Sequence, residues 1–318
     1  MATSRVRPPA RNAPGHGRGP VLEYPLPKQV SAAWERVQGA PTPLNVGLVF
    51  DRFVANWGDP LDENVQRGRR DDPRRTAWSA LARVVNRVDP KLIAACLERW
   101  RAVVARAQGR VFTLRTDWRL VTGLGSGGAL EVGFTFSRQG FPILPGSGLK
   151  GLARASGLRA VARAARLKDL GKLDQVLSAP GDLTQNWAQE FGEVPVPEVA
   201  QRFRDIFGTP EAAGGAIFLD GMPTGPARLE LDIMNPHFPD YYGGGDRPPS
   251  DDQNPRPVNF LVVAPGSEFA FAVGWRGRMD EEAGKRRAQA ENWLRRGLIE
   301  LGAGAKTSAG YGYFVAPK

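Results

Sequence analysis

Two glycine-rich segments hold the residues best suited to chemistry. The first is Phe141-Pro-Ile-Leu-Pro-Gly-Ser-Gly-Leu-Lys-Gly151 and the second is Gly302-Ala-Gly-Ala-Lys-Thr-Ser-Ala-Gly-Tyr-Gly312. Gly146-x-Gly148-x-x-Gly151 spells a dinucleotide fingerprint, and Asp169 follows 18 residues after its last glycine. The context fails, because Pro142 and Pro145 interrupt the strand that should feed the turn. Lys306-Thr307 resembles the end of a phosphate-cradling P-loop. However, Ala305 and Glu300 stand where glycines are needed, and a strand pattern follows instead of a helix. Both segments suit a sugar-phosphate chain better. Glycine admits close backbone approach. Lys150, Arg154 and Lys306 supply charge, Ser147, Thr307 and Ser308 supply hydroxyls, and Tyr311 and Tyr313 could stack on bases.

Other chemistry has few candidates. His16 and His237 are the only histidines. His237 could serve as a general acid/base for RNA cleavage, which gives an alternative reading as a metal-independent endoribonuclease. Asp220 and Asp232 could pair at a metal, although no spacing argument joins them. The single cysteine, Cys96, permits neither an intramolecular disulfide nor a multi-cysteine zinc site, and suits a reducing interior. No cofactor is expected.

The chain has 318 residues, with 43 Lys+Arg against 33 Asp+Glu, for a net charge of +10. That surplus points to a polyanionic partner, either nucleic acid or an acidic protein. It is unevenly placed. Residues 1–20 hold four arginines and no acid and read as a disordered basic tail. Residues 64–110 hold eleven arginines and Lys91 against four acids, and residues 150–172 hold seven bases against Asp169. Apolar runs such as Leu92 to Leu97 are too short to cross a bilayer, and no secretory signal is visible, so a cytoplasmic protein without membrane contact is expected.

The elements that must position these residues follow from periodicity. Residues 21–110 read as mostly helical, with Pro90 splitting the stretch Trp78 to Gln108. Phe112, Leu114, Thr116, Trp118 and Leu120 alternate with polar residues, a half-buried strand with Arg115 and Arg119 on its open face. A short strand is expected around Phe134 and Phe136. Ser147 is the expected N-cap of the next helix, which Ser156-Gly157 should break or kink. A helical insertion spans about 166–210, and strands follow at Ile217 to Met222 and Leu229 to Ile233. A long loop runs from about 235 to 257. Val258 to Val263 and Phe269 to Trp275 read as a hairpin about Pro265-Gly266. Residues 280–301 form an amphipathic helix, with Arg295 and Arg296 opposite its apolar stripe. The order from 111 to 318 is strand, helix, strand, strand, helix, strand. That is an α+β, ferredoxin-like layout with helices on one sheet face and the other face open.

The motifs carry a resemblance. Phe141-Pro-Ile-Leu-Pro-Gly-Ser-Gly-Leu-Lys-Gly-Leu-Ala-Arg154 is similar to the "P-x-I-P-G-S-S-L-K-G-x-x-R" segment of the RAMP superfamily of CRISPR proteins, with Gly148 standing where a side chain is usual. Leu301 to Gly312 resembles that superfamily's C-terminal glycine-rich loop. Asp232-Ile-Met-Asn-Pro-His-Phe-Pro-Asp-Tyr-Tyr242 and Pro257-Val-Asn-Phe-Leu261 resemble the family of the sixth subunit of the Cmr, type III-B, RNA-targeting effector. Phe207-Gly-Thr209 and Phe218-Leu-Asp220 fit the same family. The resemblance implies a non-catalytic subunit that holds the guide RNA toward its 3′ end, caps the backbone filament and touches other Cmr subunits; contact with target RNA is left open. It implies RNA contacts at Ser147, Gly148, Lys150, Gly151 and Arg154. A second set is Gly302, Gly304, Lys306, Thr307, Ser308, Gly310 and Tyr311.

Overall fold

The computed structural model describes residues 26–54, 73–127, 130, 132–235 and 257–317. The basic tail 1–20, His16, His237 and nearly all of the 235–257 loop lie outside these residues. Four helices open the described chain: α1 (Lys28–Gly39), α2 (Val46–Arg52), α3 (Pro73–Val84) and α4 (Pro90–Arg106). Pro90 does not merely interrupt a helix. It occupies the first turn of α4, where its missing N–H costs nothing, and the Asp89 side chain caps that turn by accepting from the Lys91 N–H at 2.9 Å. Then come β1 (Arg110–Thr116), α5 (Gly146–Ala165), α6 (Leu170–Ser178), α7 (Leu183–Phe191), α8 (Glu198–Phe207), β2 (Ala216–Phe218) and β3 (Met222–Pro223). The order closes with β4 (Leu229–Met234), β5 (Val258–Val263), β6 (Glu268–Trp275), α9 (Glu281–Glu300) and β7 (Phe314–Val315).

The protein is α+β, and its main sheet is antiparallel with the order β2-β6-β1-β7, β3 also pairing with β6. The hairpin expected between Val258–Val263 and Phe269–Trp275 does not form. The segment β5 pairs with β4 instead, from Leu229↔Val263 to Met234↔Val258, in a separate two-stranded sheet. The Pro265-Gly266 turn is present with Gly266 at φ +80° and hands the chain from one sheet to the other, its N–H bonding to the Thr116 carbonyl at 2.8 Å. The expected strand from Ile217 to Met222 is cut in two. Phe134 and Phe136 lie in no strand, only an isolated bridge between Phe136 and Pro142.

Both faces of the main sheet are covered. On one face α9 and α5 pack over Phe112, Phe269, Phe271 and Val273, with Leu149, Trp293, Leu294 and Leu298 buried among them. On the other face α4 lays Ile93, Cys96, Leu97, Trp100 and Val104 against Ala270 and Ala272. This corrects the expectation of an open face. Ala270, Ala272 and Gly274 break the apolar alternation only by being small, which is what a helix needs to sit close. A β-carbon on Gly274 would lie 2.7 Å from that of Ala107. The predicted break at Ser156-Gly157 is also absent. The helix α5 runs unbroken, and Gly157 is bare because a β-carbon there would press on Trp293 at 2.9 Å.

One arginine of the 64–110 region, Arg87, is structural. Arg87 donates to the carbonyls of Val37, Gln38 and Thr42, closing the C-terminal end of α1. Arg295 is not opposite the apolar stripe of α9. Its guanidinium lies over the Phe112 ring, 3.9 Å from the centroid.

Candidate nucleic-acid interface

The first glycine-rich segment becomes the start of α5. The N-cap is Pro145, whose side chain can accept nothing, so Ser147 is not the cap but a residue of the first turn. The Gly146 N–H is satisfied from outside, by Asp220 Oδ1 at 2.7 Å, while Leu149 makes an early intrahelical bond to the Pro145 carbonyl at 3.0 Å. Helix geometry leaves the N–H groups of Ser147 and Gly148 without acceptors inside the helix, at its positive end. Ser147, Gly148, Lys150 and Gly151 are exposed. The glycines differ sharply. A β-carbon on Gly146 would strike the Phe218 carbonyl oxygen at 2.3 Å, whereas on Gly148 or Gly151 it would meet nothing within 4 Å. The fold explains Gly146 and gives no reason for the other two, each of which weakens the helix by up to about 1 kcal/mol relative to alanine.

Arg154 faces inward. It donates to Asp174 and to Ser178 Oγ on α6, and its guanidinium lies over the Phe203 ring at 5.2 Å. It therefore braces α5 against α6 and α8. Asp220, read as one of a possible metal pair and as part of a family segment, is the external cap of α5. Asp232 serves a different purpose, and among the described residues no group of three or more His, Cys, Asp or Glu is placed to hold a metal ion.

The second segment is a loop whose glycines are mostly demanded by its own shape. Gly302, Gly304, Gly310 and Gly312 all have positive φ, and β-carbons on Gly304 and Gly312 would strike the carbonyl oxygens of Val121 at 2.1 Å and Ala303 at 1.9 Å. Lys306 itself is left-handed at φ 61°, introducing a short 3₁₀ turn over Thr307–Ala309. Its ammonium sits over Phe260 at 5.5 Å and Tyr311 at 5.9 Å, half-buried rather than free. The Tyr311 hydroxyl donates to Asp232 Oδ2 at 2.6 Å, and Arg119 Nη1 donates to the same oxygen at 3.0 Å. Tyr311 is thus a strut between the loop and β4. Burial pushes the Asp232 carboxyl up, but the bonds from Tyr311, the Ile233 N–H and Arg119 outweigh it and hold the group below the usual carboxylate range. Burial, with the Asp232 bond behind it, pushes the Tyr311 phenol up.

The fold brings the two segments to one end. Leu152 lies against Gly297 and Gly157 against Trp293, so α5 and α9 run antiparallel. That register sets Gly148 level with the end of α9, where the second loop begins. The connector between β1 and α5 joins them as well, with the Ala305 N–H bonded to the Val121 carbonyl at 2.9 Å and the Thr135 N–H to the Thr122 carbonyl at 3.0 Å. Sequence reading missed Trp118 here. The alternation ends with β1 at Thr116, and Trp118 is 49% exposed.

A helix start and a glycine-rich C-terminal loop at one end of an antiparallel sheet agree with a wider pattern, since the RAMP superfamily profile matches residues 42–315. The chain belongs to the RAMP superfamily. The match begins between α1 and α2, so it takes in α2 to α4 as well as the sheet. This RAMP protein is 34% identical over 230 residues to the CRISPR system Cmr subunit Cmr6 of Pyrococcus furiosus, covering 63% of this chain. The alignment spans 66% of that relative's length, just under two thirds. The crystal structure of Cmr6 from Pyrococcus furiosus is similar at 30% identity, with a TM-score of 0.44 over 66% of this chain and 98% of that one. A chain in the cryo-EM structure of the type III-B Cmr-beta complex bound to cognate target RNA shares the fold at 20% identity, with a TM-score of 0.51 over 77% of this chain and 71% of that one. Among the described residues no helix is long and apolar enough to cross a membrane.

Proposed function

We propose that this RAMP protein is a non-catalytic, RNA-binding structural subunit of a type III-B Cmr effector. It holds the guide RNA toward its 3′ end, caps the backbone filament and packs against other Cmr subunits. Its core, from residue 111 onward with the helices of 166–210 inserted, is ferredoxin-like. The all-antiparallel order β2-β6-β1-β7 supports this, because it is the order a split βαβ pair gives once the short β3 is set aside.

One observation carries the RNA reading. Gly148 and Gly151 are exposed in a helix, with open space where a side chain would go and no positive φ to require them. Such glycines make sense if a backbone from another molecule lies against them. Ser147, Lys150 and the free N–H groups beside them match phosphate and ribose oxygens. Lys306, Thr307 and Ser308 offer the same chemistry from the neighbouring loop, which Gly302, Gly304 and Gly310 shape. Arg154 and Tyr311 contribute by positioning. Contacts of this kind fix register without reading sequence, leaving bases free to pair with a target.

The test is to purify the tagged protein from its host and sequence the RNA that accompanies it. The reading expects RNA of defined length with a common repeat-derived portion, together with other effector subunits. Protein that arrives alone, or with RNA of random length, sinks it. Lys306→Ala should flatten the salt dependence of binding by about one unit on a log–log plot.

A further inference from the structure

Trp118 lies just past the end of β1 and beside the glycine-rich loop. Among the described residues it is the one aromatic ring in the set of exposed large apolar side chains, at 49% exposure. An indole left in water is unfavourable, and singly exposed apolar groups are common, so exposure alone decides nothing. Its setting decides more. The backbone on either side is fixed: the Asp117 N–H bonds to the Tyr313 carbonyl at 2.9 Å, and the Gly312 N–H bonds to the Arg119 carbonyl at 2.8 Å. The ring is therefore held out by a paired strand end, not by a loose loop.

The surroundings are polar and carry both signs of charge, since Arg119 pairs with Glu230 and Asp232. The Arg119 guanidinium lies over the indole, 5.3 Å from its centroid, and is itself anchored by Asp232 at 3.0 Å. Asp117 and Arg119 flank the ring in the chain, with Gly312 and Tyr313 across the pairing. An exposed ring with a fixed arginine, next to a loop carrying Lys306 and two hydroxyls, is the arrangement that receives an unpaired base.

We propose that the Trp118 indole is a stacking platform for one base of single-stranded RNA, bound beside the Gly302–Gly312 loop. This rests on the RNA-binding reading above and adds to it a contact of a different kind. The loop holds phosphate through charge, whereas Trp118 holds a base through its π-face. Any of the four bases would serve, since stacking depends little on base identity.

The two contacts respond differently to salt, which makes the proposal testable. The full-length protein is titrated into a fluorescently labelled single-stranded RNA over a range of salt concentrations, using wild type, Trp118→Ala, Trp118→Phe and Lys306→Ala. Equal melting temperatures would show that the variants are folded. Trp118→Ala should weaken binding about 5- to 150-fold with an unchanged salt slope, and Trp118→Phe should recover much of the loss. Lys306→Ala should change the slope instead. If Trp118→Ala binds like wild type while Lys306→Ala loses slope, the platform is refuted and the RNA reading survives. If wild type binds no RNA, both fall. If Trp118→Ala binds RNA normally but no longer co-purifies with partner proteins, the indole is a protein contact and the proposal is overturned.

Discussion

Replacing Gly148 and Gly151 together by alanine should make the protein more stable and its RNA binding weaker. The stability gain follows from the helix. Neither new methyl group would meet an atom within 4 Å, so no clash offsets the gain in helix propensity. Glycine costs about 1 kcal/mol relative to alanine in a helix interior and less in the first turn, so the pair should gain roughly 1–2 kcal/mol. At this chain length that is a rise of about 1.5–3 °C in melting temperature. The binding loss follows from the proposed contact. Two methyl groups on the surface where a sugar-phosphate chain lies would lift it off the N–H donors of Ser147 and Gly148. A hydrogen bond to a charged group is worth about 1.5–3 kcal/mol, so losing one weakens binding roughly 10- to 150-fold. Thermal melting and fluorescence anisotropy on the same preparation read both quantities. Stability up with affinity down cannot come from misfolding. A stabilised double variant that binds RNA as wild type does would refute the reasoning. Gly146→Ala is the contrast, because its methyl would strike the Phe218 carbonyl and should destabilise α5.

Three further outcomes are expected. Asp232 has a folded pKa below its ordinary value, so its bonds stabilise the fold above the unfolded value of about 3.9 and that share is lost as pH falls through the lower folded value. Asp232→Asn should therefore be less stable than wild type at neutral pH, and the gap should close in acid when urea midpoints are followed from about pH 7 to 3; a constant gap would contradict the ionic account. Gly157→Val places side-chain carbon against Trp293 and Phe203, and should cost about 1–3 kcal/mol of unfolding free energy by denaturant titration, with no change meaning that the α5–α9 contact yields easily. Arg287 is buried, its Nε and Nη1 have no hydrogen-bond acceptor among the described residues, and burial together with nearby Arg110 disfavours its charge. Arg287→Met should raise the melting temperature of the isolated protein, and a clear fall would reveal a favourable contact at that guanidinium.

Much of the local structure was legible. Pro90 marked the start of α4, and the strand periods located β1, β4, β5 and β6 within a few residues. The misreadings share a cause. A sequence shows which face of an element is apolar and not what lies against it. Ala270 and Ala272 looked like an open face because they are small, yet smallness is what admits α4. Gly157 looked like a helix breaker because its partner, Trp293, is more than a hundred residues away. The pairing of β5 with β4 could not be read from a turn signal, since Pro265-Gly266 fits a change of sheet as well as a hairpin. Of the candidate site residues, Arg154 and Tyr311 turned out to have internal partners, Asp174 and Asp232, that no spacing rule pointed to. Trp118 was hidden by an alternation that continues in sequence to Leu120, four residues after the strand has ended.

The position of β1 has a consequence for how the chain is made. Its neighbours in the sheet are β6 and β7, and Arg110 pairs with Val273, about 160 residues later. During synthesis from the N-terminus, Phe112 and Leu114 emerge long before either neighbour exists. The long loop that must then close slows sheet formation and leaves an apolar strand without its edges in the interval. The helix α4, completed just before β1, can cover only one of its faces. Late pairing of β6 makes this protein sensitive to truncation near its C-terminal quarter: nascent chains ending before residue 268 carry the central strand of a sheet that cannot yet assemble.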